Sequence, residues 1–215
     1  MEEQIMNMPA VALRGLTILP GMIAHFDISR ERSLRAVEEA MEQDQKIYLV
    51  TQRNVDSEDP TQEDLYQMGI VADIKQVVRL QNDVVRILVD GISRAALLGF
   101  TGNEKYLEAE ICYCDSNADS LPEDLREAML LGVREAFHRY AAVVGKISKE
   151  LIRQIDQYED LEKLIDYVTN NLPVSYELKQ QVLEAEDIND RYQVIVSLLI
   201  SQVEVISIKN ELQKK

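Results

Sequence analysis

The first half of the chain alternates apolar and polar residues with a period close to two. Between positions 22 and 29 the apolar side chains of Met22, Ala24, Phe26 and Ile28 occupy every second position. This is the spacing of a β-strand that buries one face and exposes the other. The same alternation, or a short run of apolar and β-branched residues, predicts further strands at 13–19, 47–51, 69–80, 84–91, 93–100 and 106–114.

Two features within this half depart from the strand pattern. Leu34, Val37 and Met41 recur at helical spacing, which predicts one short helix with Ser29 as its N-terminal cap. The polar residues 81–83 separate two apolar runs and predict a hairpin turn. Several short strands and a single helix favour a closed or strongly curved sheet, because closure protects the strand edges.

After position 115 the period changes to 3.6 residues, which predicts an all-helical second half. A capping-box spacing at 120–123 precedes an apolar stripe from Leu125 to Val144. Further helices are predicted to start near Ser148, to run from 161 to 172 and to lie around 178–182. The last helix is predicted to be opened by Asp187 and to run from about Asn189 towards the C-terminus. The sequence therefore predicts an α+β fold, with a β-rich domain at 1–117 and a helical domain at 118–215 that ends in a long helix.

The last of these helices carries apolar residues on more than one side. Its main stripe contains Tyr192, Ile195, Leu199, Val203 and Ile206, while Val194, Leu198, Val205 and Ile208 lie away from that stripe. Such a helix either packs against two neighbours in its own domain, or meets a second chain or sequence beyond Lys215. The pattern leaves both alternatives open.

The charge balance narrows the range of partners. Asp and Glu total 38 against 23 Lys and Arg, a net charge of −15 that repels phosphate backbones and anionic lipid. No nucleic-acid partner is predicted, because neither half of the chain is basic. The acidic N-terminal segment does not resemble a secretory signal, and no apolar run approaches the ~18 residues that span a bilayer. We therefore predict a cytoplasmic protein without a membrane partner.

Residue types suited to catalysis or metal binding are scarce. His25 and His138 are the only histidines, and Cys112 and Cys114 have no second pair to complete a structural zinc site. A Gly-Lys pair at 145–146 lacks the Ser or Thr that must follow it in a phosphate-binding loop. We predict no catalytic, cofactor or metal site in this chain.

Four segments, taken in order, resemble parts of the N-terminal domain of bacterial ATP-dependent Lon proteases. The first is PAVALRGLTILPGMIAHFDISRERSLRAVEEAM at 9–41, in which a Pro-Gly-Met turn lies between two apolar runs. The others are DPTQEDLYQMGIVADI at 59–74, VRILVDGISRAAL at 85–97 and LPVSYELKQQVLEAEDINDRY at 172–192. Together they extend the resemblance over nearly the whole chain.

The resemblance implies a PUA-like curved sheet or pseudo-barrel for 1–117 and a helical subdomain whose last helix leads towards an ATPase module. It implies a non-catalytic region that recognises unfolded, damaged or degron-bearing proteins and helps to organise a homo-oligomeric ring. The family's Walker motifs and Ser-Lys dyad are absent from this sequence. The use of ATP and Mg²⁺, and peptide cleavage, would therefore belong to other modules of the parent protein.

Two other functions stay open from the residues alone. The chain is alternatively a standalone LON-domain adaptor that binds a protein or a small ligand, or an unrecognised enzyme with a carboxylate pair. For a protein contact we select Arg30, Glu31, Arg32 and Arg35, which place a charged face opposite the apolar side of the first predicted helix. The alternative for these four residues is a solvated helix face with local ion pairs.

Overall fold

A six-stranded sheet and one helix form the first part of the computed structural model, which describes residues 4–214. The strands are β1 (Ile5–Leu13), β2 (Ile23–Ile28), β3 (Lys46–Thr51), β4 (Met68–Arg79), β5 (Val85–Phe100) and β6 (Glu108–Tyr113). Helix α1 (Glu31–Glu42) follows β2, and a 3₁₀ turn at Gln62–Asp64 ends the long loop after β3. This β-rich unit extends to Cys114.

The strand order closes the sheet on itself. The strands are arranged β2-β5-β4-β3-β1-β6, and β5 also pairs with β6. β1 pairs in parallel with β3, with Ala10 opposite Tyr48, and antiparallel with β6, with Met6 opposite Ile111. A parallel pair needs a crossover, which here contains β2 and α1. The closed sheet predicted from the alternating pattern is confirmed.

The segments 84–91 and 93–100, which were predicted as two strands, form a single strand, β5. Its first part pairs with β2 and its last part with β6, while β4 pairs along most of its length. Gly91 interrupts the apolar pattern without interrupting the strand, and the register against β4 shifts beside it. The hairpin turn predicted at 81–83 is confirmed, with Asn82 and Asp83 at positive φ.

Both faces of the sheet are buried along β1. Val11 and Leu13 belong to one apolar cluster, and Ala10 and Ala12 belong to another. The first cluster also receives the buried face of α1, formed by Ala36, Val37 and Ala40. Alternating side chains of one strand thus enter two cores, which explains why β1 is apolar at nearly every position.

The segment predicted as a strand at 13–19 is irregular instead. β1 ends at Leu13, and the chain then passes through Gly15 at a φ of 65°. Ile18 and Leu19 are buried in this irregular stretch. Burial makes a segment apolar whether or not it pairs with another strand, so the apolar run alone was not sufficient evidence for a strand.

Five α-helices lie in the described part of the second unit, which begins at Asp115. They are α2 (Glu123–Val144), α3 (Lys149–Gln157), α4 (Leu161–Asn170), α5 (Tyr176–Glu184) and α6 (Ile188–Gln213). Ser148 and Asp187 accept hydrogen bonds from the first turns of α3 and α6, as the predicted helix starts require. The predicted capping box at 120–123 is wrong, because Pro122 precedes α2 and offers no side-chain cap.

Helix α6 changes character along its length. It packs against α2, α4 and α5, and it buries Ile195 and Leu199 in its first half. Its second half exposes Ile208 and Leu212, at 58% and 67%. Among the described residues α6 is the one helix long and apolar enough to cross a membrane by length and composition, a test that core helices of soluble proteins also pass. The absence of a membrane partner stays a prediction.

The combination of a mixed sheet and six helices confirms the predicted α+β fold for the described residues. The residue contacts separate into two groups after Cys114, and this separation does not test whether each part folds by itself. The domain boundary placed after residue 117 therefore stays a prediction, as does the likeness to PUA domains.

Candidate binding cleft

The four residues selected from the sequence lie at the start of α1. Arg30 is the N-cap residue, and Glu31 is the first helical residue, where a negative charge is favoured by the helix dipole. The prediction that Ser29 caps this helix is wrong, because the N-cap lies one residue later. A guanidinium cannot accept hydrogen bonds, so the first turn of α1 has no side-chain cap.

A cleft of about 430 Å³ lies beside this helix start. Its walls come from the end of β1, the first turn of α1, the loop after β3 and the chain before β6. Its charged lining residues are Arg14, Arg30, Arg32, Glu31, Glu58 and Asp59. The structure thus brings three of the four selected residues to one cleft, while Arg35 lies outside its lining.

Gln52 fixes the position of Arg30 in the wall of this cleft. The Gln52 side chain is completely buried, and its Oε1 accepts a hydrogen bond of 2.6 Å from Arg30 Nη2. Its Nε2 donates to the carbonyl oxygens of Asn54 and Ser57 at 2.9 and 3.0 Å. Both ends of the amide are occupied, as a buried amide requires. Arg30 is therefore held by a rigid partner and is preorganised for binding.

The loop after β3 is held in place by its own side chains. Asp64 Oδ2 accepts hydrogen bonds from the Thr61 amide at 3.0 Å and from the hydroxyl of Ser57 at 3.3 Å. These hydrogen bonds, that of the Thr61 amide above all, hold the pKa of the Asp64 carboxyl below its usual value. Arg14 Nη2 donates to the Ser57 carbonyl at 2.9 Å, which ties this wall of the cleft to the chain after β1.

Arg14 and Arg30 place two positive charges on the same cleft. Burial lowers the pKa of the Arg30 guanidinium, and the positive charge of Arg14 lowers it further. Asp59 raises that pKa, with a smaller effect than the opposing effect of Arg14. Two like charges on one cleft repel each other, and a bound negatively charged group would relieve this repulsion.

Arg32 and Arg35 make contacts that are exposed to solvent. Arg32 Nη2 donates to the Asn103 carbonyl at 3.1 Å, and Arg32 Nη1 lies 3.7 Å from Asp59 Oδ1. Arg35 forms an ion pair with Glu31 one helical turn away. Exposed pairs of this kind contribute about 0–1 kcal/mol, so they leave these side chains able to exchange partners. A contact between the four selected residues and another protein stays a prediction.

Two residues that shape the cleft, Arg14 and Gln52, were not selected from the sequence. Arg14 follows β1 directly, and Gln52 follows the apolar run 47–51. The parallel pairing of β1 with β3 brings the ends of these strands side by side, and that pairing is not visible in the sequence. A polar residue immediately after a buried strand was the signal that could have identified Gln52.

The histidines and cysteines do not line the cleft beside α1. His25 is exposed, and His138 Nε2 lies 2.7 Å from Asp156 Oδ1 on the helical unit. Cys112 and Cys114 are not disulfide-bonded. Within residues 4–214 no three His, Cys, Asp or Glu side chains are grouped so that they could hold a metal ion.

Comparison with known proteins assigns the chain to a family. The family described as the ATP-dependent protease La (LON) substrate-binding domain matches residues 7–201. The chain belongs to this family. The resemblance stated from four segments of the sequence is thereby confirmed, and the LON substrate-binding domain provides the context for the cleft beside α1.

The relatives of this LON substrate-binding domain are proteins much longer than this chain. The Lon protease of Lachnoclostridium phytofermentans is 36% identical over 215 residues, and that of Clostridioides difficile is 34% identical over 209 residues. These matches cover 100% and 96% of this chain, and 27% of each relative. The chain therefore spans about a quarter of the length of the curated relatives that it matches.

Solved structures of other LON domains share the fold. The N-terminal domain of a Mycobacterium avium complex Lon protease matches with a TM-score of 0.71 and 19% identity, covering 90% of this chain and 98% of that one. A Lon N-terminal domain protein from Xanthomonas campestris matches with a TM-score of 0.60 and 13% identity, covering 89% and 98%. At these identities the likeness supports the fold alone.

Proposed function

We propose that this LON substrate-binding domain captures unfolded, damaged or degron-bearing proteins and helps to organise a homo-oligomer. The observation that carries the proposal is the preorganised cleft beside α1, with arginines and acids on its walls. The chain spans 27% of its Lachnoclostridium relative. We therefore assign ATP, Mg²⁺ and peptide cleavage to modules elsewhere in a longer, cytoplasmic protein, to which the captured client is delivered.

Capture at this cleft and on the adjoining face of α1 follows from the chemistry of an unfolded segment. Such a segment carries backbone carbonyls and charged side chains that a folded protein pairs internally. Arg32 and Arg35 have side chains 44% and 49% exposed, so they can donate to these groups without leaving the helix face. Glu31 offers a carboxylate to basic client side chains. Weak individual contacts of this type suit a domain that accepts many sequences.

Self-association is assigned to the second half of α6. Val205, Ile208 and Leu212 are exposed there at positions that recur at i, i+3 and i+7, so they form one apolar stripe. Apolar stripes at this spacing bury their surface by packing against another helix. In the proposed homo-oligomer that partner is the same stripe of a second copy.

Client capture is tested with the whole chain and a fluorescently labelled, chemically unfolded protein, by anisotropy. We expect binding by the natural chain, and binding weaker by about tenfold for the double variant Arg32→Glu with Arg35→Glu, as expected for lost charge pairing. The matched control reverses Lys75 and Arg79, which are exposed on β4 away from the cleft.

Three outcomes would contradict parts of the proposal. No binding of any unfolded protein by the natural chain would reject client capture. Equal binding by the α1 double variant and the β4 control would reject the α1 surface as the contact. Reproducible cleavage of the client by this chain with ATP would reject the assignment of catalysis to other modules.

Self-association is measured by light scattering across a concentration series. We expect the mass to rise above the 24.6 kDa of one chain, and the variant Ile208→Ser with Leu212→Ser to stay near that mass. Asn210→Ser, an exposed position on the same turn, is the matched control. A natural chain that stays monomeric throughout would reject this role for α6.

A further inference from the structure

A second, smaller cavity adjoins the cleft beside α1. Its volume is about 220 Å³, and Arg14 and Arg30 line both spaces. The remaining lining includes the half-buried apolar side chains of Leu16 and Phe26 as well as the acidic residue Asp27. Two guanidinium groups therefore lie at the boundary between two spaces, and the smaller space is large enough for one side chain.

The two guanidinium groups retain unused hydrogen-bonding capacity. Each guanidinium has five N–H donors. Arg14 donates one to the Ser57 carbonyl, and Arg30 donates to Gln52 and, at 3.4 Å, to the Glu58 carbonyl. The remaining donors suit a carboxylate, which accepts paired hydrogen bonds from arginine.

The acids on the cleft wall do not neutralise this pair. Glu31 forms its ion pair with Arg35, Asp59 Oδ1 lies 3.7 Å from Arg32 Nη1, and Glu58 contacts Arg30 through its backbone carbonyl. The repulsion of Arg14 on Arg30 exceeds the attraction of Asp59. The first turn of α1, which has no side-chain cap, adds its positive dipole end to the same wall. The boundary between the two spaces therefore favours an added negative charge.

We propose that the cleft binds the C-terminal residue of an unfolded polypeptide, with its α-carboxylate on Arg14 and Arg30 and an apolar side chain in the 220 Å³ cavity. This inference rests on the proposed capture of client proteins and specifies one group that is recognised. A C-terminal residue carries its carboxylate and its side chain on one Cα atom, which matches two spaces that share their arginines. An internal Asp or Glu offers a carboxylate without an apolar group on the same residue.

Three fluorescein-labelled peptides test this inference with the whole chain at fixed ionic strength. The first is Gly-Ser-Gly-Ser-Ala-Leu with a free carboxylate, the second is its C-terminal amide, and the third ends in Ser with a free carboxylate. We expect the first to bind tightest. The amide loses a charge-assisted contact and the Ser peptide loses apolar burial, so each should bind about tenfold more weakly.

Variants then assign the preference to the two arginines. Arg14→Gln and Arg30→Gln should reduce the difference between acid and amide to about twofold or less, because the charged partner is gone. Arg79→Gln removes the same charge from an exposed site outside both spaces and should keep the difference. Arg30 also holds the loop after β3, so Arg14→Gln, which alters an exposed side chain, provides the test if Arg30→Gln does not fold.

The outcomes separate this inference from the proposed function. Equal binding of acid and amide by the natural chain, or an unchanged preference in Arg14→Gln, overturns C-terminal recognition. If the unfolded client protein is still bound in that case, client capture stands and this inference alone fails. If neither the client nor any peptide binds, both are overturned.

Discussion

The β-rich unit and the helical unit place opposite demands on side-chain size. At Gly91 in β5 an added Cβ would collide with the carbonyl oxygen of Leu19 and lie 2.9 Å from Ile70 Cδ1. In α2, by contrast, Phe137 and Tyr140 are both buried, with their ring centroids 5.9 Å apart. The sheet therefore tolerates added atoms poorly at its closest backbone contacts, and the helices tolerate removed atoms poorly in their core.

Gly132 shows that α2 also contains a position with little room for an added Cβ atom. A Cβ at this position would meet the hydroxyl of Tyr192, which is the far end of a side chain on α6. The tip of a side chain can move at lower cost than a backbone carbonyl that is fixed by the sheet. Added atoms are therefore most damaging where backbone meets backbone.

The largest effect is expected for Phe137→Ala in the helical unit. The side chain is 1% exposed, so its removal leaves a cavity as well as losing apolar burial. The free energy of unfolding should fall by about 3–5 kcal/mol, measured by urea denaturation with circular dichroism. Leu131→Ala in the same helix, where the side chain is 54% exposed, should change it by about 0.5 kcal/mol or less. Similar losses for the two variants would contradict the packing described for α2.

A smaller loss is expected for Gly91→Ala in the β-rich unit. The added methyl forces β5 away from the Leu19 carbonyl, at a cost of about 2–3 kcal/mol in unfolding free energy. Gly99→Ala is the control in the same strand, because a Cβ there lies 3.7 Å from its nearest neighbour and should leave stability nearly unchanged. Hydrogen exchange followed by mass spectrometry should locate the lost protection in β5 and its partners. An equal loss in the control would show that glycine is required for another reason.

The smallest effect is expected for Asp187, before α6, in the dependence of the unfolding free energy on pH. Hydrogen bonds from Asn189 lower the pKa of the Asp187 carboxyl below its usual value of 3.8. Its contribution to stability is therefore complete above the unfolded-state pKa and is lost as the pH falls through the folded-state pKa. Asp187→Asn keeps a capping side chain but cannot titrate, so its unfolding free energy should vary less between about pH 5 and pH 2. An unchanged pH dependence in this variant would contradict the assignment.

Much of the fold could be predicted because its signals are local. The alternation at 22–29 and the turn at 81–83 each depend on neighbouring residues, and both are present in the structure. Ser148 and Asp187 cap the helices that they were predicted to open. The errors occur where two explanations produce the same pattern, as in the buried but irregular chain at 13–19.

The cleft was only partly predictable, because it depends on contacts between distant segments. Arg30, Glu31 and Arg32 adjoin one another in the sequence, so their shared location follows from α1 alone. Gln52 reaches Arg30 across 22 residues, and the parallel pairing of β1 with β3 holds Gln52 beside Leu13 at the end of β1. No local pattern specifies that pairing, and the cavity lined by Arg14 and Arg30 depends on it.

The pairing of β1 with β6 also has a consequence for synthesis on the ribosome. β1 ends at Leu13, and its antiparallel partner is complete only at Tyr113. At roughly 5–20 residues per second, the nascent β1 waits roughly 5–20 s for that partner. Both of its faces are apolar, so during this interval it can associate with other nascent chains. The speed of translation should therefore change the yield of the folded domain more than it changes the stability of the domain once it has folded.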